Sequence, residues 1–234
     1  MMKTMLITGA SRGIGLAIAK RFSLSDSEFS TIVLVSRDAK RLEEAREEVR
    51  VLSNDKAVHA IVADLGQTGF QCQLFDEIEG LGLQVTSIVN NAGYTAPCKF
   101  DDIQDIELDL TLQINVKAPL LIVREARRRG HKLDHIVNIA STAGMNGRPK
   151  WATYSASKAA IRVASESMKE EFAPDGTDVL CISPGRCATD LRKTLAPDED
   201  PTTIMQPEDV AEGIALMLSP AAKVLRHENN FVFR

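Results

Sequence analysis

An alternation restricts the fold of this chain more than anything else in it. Apolar, strand-sized runs recur at MLIT (residues 5–8), TIVLVS (31–36), AVHAIVA (57–63), VTSIVN (85–90), LDHIVNIA (133–140) and TDVLCIS (177–183). A strand with one wet face alternates apolar and polar residues with period two. Continuous apolar runs therefore point to parallel strands covered on both faces. Between them lie stretches with helical apolar spacing, among them GLAIAKRFSLS, DAKRLEEAREEVRVL, ELDLTLQINVKAPLLIVREARRRG and ATYSASKAAIRVASESMKEEF. Strand, helix, strand, helix predicts an α/β fold with a doubly wound parallel sheet of about seven strands and helices on both faces. Asn230 to Phe233 is the candidate seventh strand, and Asp38 is placed to cap the second helix.

With 234 residues, 44% of them hydrophobic, the chain suffices for one sizeable core, so a single domain over residues 1–234 is expected. Lys and Arg total 28 against 32 Asp and Glu, and no run is basic enough to follow a phosphate backbone, so nucleic acid is not an expected partner. No apolar stretch approaches the roughly 18–20 residues of a membrane span, which argues against a membrane partner and for a soluble, cytoplasmic protein. Cys72, Cys98, Cys181 and Cys187 form no C-x-x-C pair and read as reduced thiols. Cys181 falls inside a strand, whereas Cys187 is placed to border a cleft. His131 and His135 are four apart but straddle a loop-to-strand junction with no third ligand nearby, so no metal site is expected. The stretch Arg192 to Gln206, rich in Pro and Asp, reads as a mobile surface insertion.

The first apolar run leads into TGASRGIG, with glycines at 9, 13 and 15. In a doubly wound sheet ligands bind beyond the carboxyl ends of strands, where helix N-termini offer free N–H groups. Gly9 suits the turn out of the strand, Gly13 a close approach of backbone to a pyrophosphate, and Gly15 tight packing of helix on sheet. This loop resembles the cofactor loop of the short-chain dehydrogenase/reductase family. Further matches follow in the family's order: Asn90-Asn91-Ala92-Gly93, Asn115, Ser141 after Ile139-Ala140, Tyr154-x-x-x-Lys158, and Pro184-Gly185 with Thr189 beyond. The resemblance covers nearly the whole chain and implies a Rossmann-type fold.

Tyr154 and Lys158 are four apart in a helical stretch and so share a face. An ammonium close to a phenol favours the phenolate, so the spacing predicts a lowered Tyr154 pKa. Ser141, at the end of the fifth strand, is placed to hydrogen-bond a substrate oxygen. The resemblance implies that Tyr154 exchanges a proton with that oxygen, that Lys158 also holds the nicotinamide ribose, that Ser141 orients the carbonyl, and that Asn115 supports a water relay to Lys158. The alternative role for Asn115 is to satisfy local backbone groups, and Asn90 is suited to bridging neighbouring strands. Trp151 either lines the substrate pocket or staples the start of its helix.

The cofactor residues implied are Gly9, Ser11, Arg12, Gly13, Ile14, Gly15, Ser36, Arg37, Asp64, Leu65, Asn91, Ala92, Gly93, Tyr154, Lys158, Pro184, Gly185 and Thr189. An acid after the second strand would bind the adenosine ribose of NAD, whereas arginine suits the extra phosphate of NADP. Ser36, Arg37 and Arg12 resemble the NADP-preferring pattern, with NAD(H) the second choice. Asp64 serves equally as a turn residue. The implied activity is transfer of hydride between NADP(H) and a carbonyl or secondary alcohol, that of a carbonyl reductase, in a homodimer or homotetramer. Two rivals are a 3-oxoacyl-[acyl-carrier-protein] reductase and a non-catalytic NADP-binding sensor or scaffold. The missing glycine-rich tail counts against the first, and joint retention of Ser141, Tyr154 and Lys158 against the second.

Overall fold

The computed structural model describes residues 3–53, 55–228 and 230–234. Its strands are β1 (Thr4–Thr8), β2 (Thr31–Ser36), β3 (Ala57–Val62), β4 (Val85–Asn90), β5 (His135–Ile139), β6 (Asp178–Pro184) and β7 (Phe231–Phe233). They pair in one parallel sheet in the order β3-β2-β1-β4-β5-β6-β7. Its helices are α1 (Gly13–Ser23), α2 (Ala39–Leu52), α3 (Phe70–Gly80), α4 (Asp105–Leu112), α5 (Ala118–Arg128), α6 (Ala152–Phe172), α7 (Asp190–Leu195) and α8 (Pro207–Leu218).

The continuous apolar runs divide between two cores. Met5, Ile7, Ile32 and Leu34 pack on one face with residues of α1, α2 and α8. Their neighbours Leu6, Val33 and Val35 point to the other face, among Leu74, Ile122 and Met168. Successive side chains of a strand leave opposite faces, so a strand roofed on both sides needs an apolar residue at every position.

Three sequence expectations are revised. Residues 105–128 form one continuous helical run, as expected, but not a uniform α-helix: α4 and α5 are joined by a π-helical turn, Gln113–Lys117, which contains Asn115. Insertions of this kind cluster at functional sites. The stretch 192–206 is folded. Asp190–Leu195 is helical, a parallel bridge pairs Cys187 with Met205, and Glu199 ties the stretch to Arg186 and Arg192. The third revision concerns the phenol of Tyr154 and follows below. His131 and His135 are buried apart from any metal-ligand cluster. His131 Nδ1 lies 3.1 Å from Gln84 Oε1, its ring packs on Phe75, and burial lowers its pKa. Among the described residues no group of three or more His, Cys, Asp or Glu is placed to hold a metal ion, and no helix is long and apolar enough to cross a membrane.

Candidate active site

Strand order reverses between β1 and β4, the point at which a doubly wound sheet offers a crevice beyond its strand ends. A cavity of about 490 Å³ opens at this point. The loops that leave these two strands are locked together by polar contacts. Thr8 Oγ1 accepts from the backbone N–H groups of Asn91 and Ala92, and Asn91 Nδ2 donates to the carbonyls of Thr8 and Gly9. Gly9 and Gly13 have φ of +65° and +55°, a conformation that disfavours any side chain. A Cβ on Gly15 would lie 2.4 Å from Gly9 O. Gly15 is therefore buried as packing and does not line the cavity, unlike Gly9, Ser11, Arg12, Gly13 and Ile14. No side chain caps the N-terminus of α1 and its first turn holds no acid, which leaves N–H groups available to an anion.

Ser36, Arg37, Asp64 and Leu65 form one end of the cavity. Asp38 caps α2 by accepting from Arg41 N–H at 3.1 Å, as the sequence predicts. Asp64 holds a turn by accepting from Gly66 N–H, and its second oxygen accepts from Gln67. Arg12 is paired with Asp190. Arg37 makes no salt bridge among the described residues, and Arg41, which sequence reasoning did not single out, joins it on the wall.

The other end holds Ser141, Tyr154 and Lys158, with Pro184, Gly185 and Thr189 alongside. Tyr154 and Lys158 are buried on one face of α6, with Nζ 5.8 Å from the phenol ring centre. Lys158 Nζ donates to Ile139 O at 2.7 Å. Here the expected lowering of the phenol pKa is corrected. Burial pushes Tyr154 up to about 12, against partial downward pulls from its hydrogen bond with Ser141 and the charge of Arg192. The ammonium is directed at a backbone carbonyl instead of the phenol, and its own pKa falls to about 8 because it is buried.

Asn115 lies behind this end and does not line the cavity. Its Oδ1 accepts from Tyr94 N–H, and its Nδ2 donates to Tyr94 O and Ser157 Oγ. A Cβ on Gly93 would sit 3.7 Å from Asn115 Oδ1 and 3.8 Å from Lys158 Nζ, so the bare glycine keeps open the space both groups face. Asn90 bridges strands by donating to Asn138 Oδ1. Sequence reasoning also missed Gly144, whose absent Cβ would meet the backbone of Lys158 at 2.6 Å. Trp151 both lines the cavity and precedes the first turn of α6. Cys187 also lines the cavity, with burial pushing its thiol up to about 12.

The profile of the family described as short chain dehydrogenase matches residues 3–200. An uncharacterized oxidoreductase of Staphylococcus epidermidis is 30% identical over 228 residues, spanning 95% of this chain and 93% of its own. Among solved structures, a 4-hydroxyisoleucine dehydrogenase complexed with NADH has a TM-score of 0.84 at 25% identity, covering 99% of this chain and 96% of that one. A short chain dehydrogenase from Burkholderia cenocepacia in complex with NADP also has a TM-score of 0.84, at 26% identity and the same coverage. By sequence and by fold, this chain belongs to the short chain dehydrogenase family of oxidoreductases.

Proposed function

We propose that the protein is an NADP(H)-dependent oxidoreductase acting on a carbonyl or secondary alcohol, with Tyr154 as proton donor and acceptor. One observation carries this reading. A buried phenol, beside Ser141 and one helical turn from a buried ammonium, ends a cavity whose other end is a glycine loop over a free helix N-terminus. The bare backbone at Gly9, Gly13 and Gly93 fits a flat dinucleotide with its pyrophosphate at the start of α1. Nicotinamide, when bound, supplies or accepts hydride.

The residues of the chain account for the proton. With its pKa near 12, Tyr154 is held protonated, which suits donation to a developing alkoxide and favours reduction. Ser141 borders the phenol, lowers its pKa, and is placed to give its one hydroxyl proton to a hydrogen bond with the substrate oxygen. The phenolate left behind is stabilised by that serine and by the charge of Arg192, the two groups that already pull its pKa down. Asn115 acts as a positioning residue that fixes the π turn against Tyr94 and Ser157. Arg37 and Arg41 favour NADP, since each offers a donor fork to an added phosphate.

The test is an initial-rate assay following NADPH or NADH oxidation against ketones, aldehydes, diketones, quinones and acyl thioesters. NADPH is expected to outperform NADH, and Tyr154→Phe to lower turnover roughly 10²- to 10⁴-fold while still binding NADPH in a fluorescence titration. A Tyr154→Phe variant as active as the parent would end the reading. NADPH binding without oxidation of any compound would favour the sensor.

A further inference from the structure

We propose that the substrate carries a carboxylate besides its reacting carbonyl, and that Arg148 and Arg192 hold this carboxylate beside the ring of Trp151. The proposal deepens the reductase reading and rests on it. Trp151 meets Tyr154 edge to face, with ring centres 6.4 Å apart, so it borders the position of the reacting oxygen. Two guanidinium groups approach that indole, Arg148 and Arg192 each 5.5 Å from its centre, and both line the cavity.

The charge at this end is unbalanced. Arg192 is fixed through Nε and Nη2, which donate to the two oxygens of Glu199 at 2.5 and 2.7 Å, so its Nη1 is left over. Arg186 shares that same Glu199. Arg148 makes no salt bridge among the described residues, and Lys158 adds a further cation. The acids in the cavity wall are committed elsewhere: Asp38 to the α2 cap, Asp64 to its turn and Asp190 to Arg12. Leu191 and Leu195, on either side of Arg192 in the chain, add apolar surface to the cavity wall.

A neutral ketone would leave the spare donors of Arg192, whose side chain is 17% exposed, without a partner, while Arg148 is exposed and stays hydrated until an anion draws it in. A carboxylate is matched by the planar donor fork, and the indole face holds the two forks in place. The reacting carbonyl is then oriented by a second, distant contact, which is how remote binding assists turnover.

The test pairs acids with their esters. 3-Oxobutanoate, 4-oxopentanoate, 5-oxohexanoate and their methyl esters are assayed with the wild type, Arg148→Met and Arg148→Lys. In parallel, succinate, glutarate and adipate are titrated calorimetrically into the NADP-loaded proteins. At least one acid is expected to exceed its ester in kcat/KM. That preference should fall roughly tenfold in Arg148→Met, about 1.4 kcal/mol, mainly through KM, and should recover only in part in Arg148→Lys, which keeps the charge but not the fork. At least one diacid should bind the wild type roughly tenfold more tightly than Arg148→Met. The proposal is overturned if acids and esters react alike, if the substitution leaves their ratio and diacid affinity unmoved, or if it weakens NADPH binding alone. Failure of every compound to oxidise NADPH would defeat the reductase reading, and the calorimetry would still decide whether the arginines hold a carboxylate.

Discussion

Lys158 keeps its charge at an energetic cost. It is 4% exposed, and burial lowers its pKa from 10.5 to about 8. A folded-state pKa below the unfolded value means that, between about pH 8 and 10.5, the unfolded chain binds more protons. Stability attributable to this group therefore rises with pH across that window, by about 3 kcal/mol in all. Tyr154 has the opposite sign: its pKa is raised from 10.0 to about 12, so its contribution falls as pH climbs through that interval. Urea denaturation of the wild type and Lys158→Met at pH 7.5, 9 and 10 isolates the lysine. The wild type should gain on the variant as pH rises and be the less stable of the two at pH 7.5. A constant difference would show that the ammonium is not desolvated. The Tyr-x-x-x-Lys spacing was legible because positions four apart share a helix face. The sign of the phenol shift was not, because it depends on burial and on Ile139, which is remote in sequence.

At the scale of elements, the site depends on how closely α6 approaches the turn after β5. Gly144 stands at that contact, and its missing Cβ would lie 2.6–2.7 Å from the backbone of Lys158 and Ala159. Neither backbone can move aside without shifting Tyr154 or Ser141. Gly144→Ala should therefore destabilise the fold by roughly 1–3 kcal/mol in urea denaturation and lower kcat more than it raises KM for NADPH. Retention of both stability and kcat would show that α6 has slack here. Nothing local in STAGMNG marks this glycine, since its constraint comes from another helix. The π turn was hidden for a similar reason. Helical apolar spacing runs unbroken through TLQINVK, whereas the extra residue per turn is recorded in the contacts of Asn115 with Tyr94 and Ser157.

Across the whole molecule, the last strand steadies the site from the edge of the sheet. Gly185 N–H donates to Phe233 O at 2.9 Å, and the Phe233 ring fills the place where a Gly213 Cβ would be, 2.6 Å from the ring edge. The end of the chain thus joins β6, α8 and the Pro184-Gly185 corner of the cavity. Phe233→Ala should cost about 2 kcal/mol, less than a fully buried phenylalanine, and lower Tm by roughly 4–8 °C in differential scanning calorimetry. An unchanged Tm would mean that β7 adds nothing to the core.

The order of strands and helices, the two-faced burial of the sheet and the glycine loop were determined by the sequence itself, because each is written in residues close along the chain. Apolar period, turn chemistry and i,i+4 spacing act over a few residues and need no knowledge of the remainder. Tertiary structure alone decided that burial raises the pKa of the Tyr154 phenol, that Lys158 faces a carbonyl, and that Arg148 and Arg192 approach Trp151. Those properties are set by desolvation and by charges brought together from distant segments, and neither quantity exists until the chain has folded.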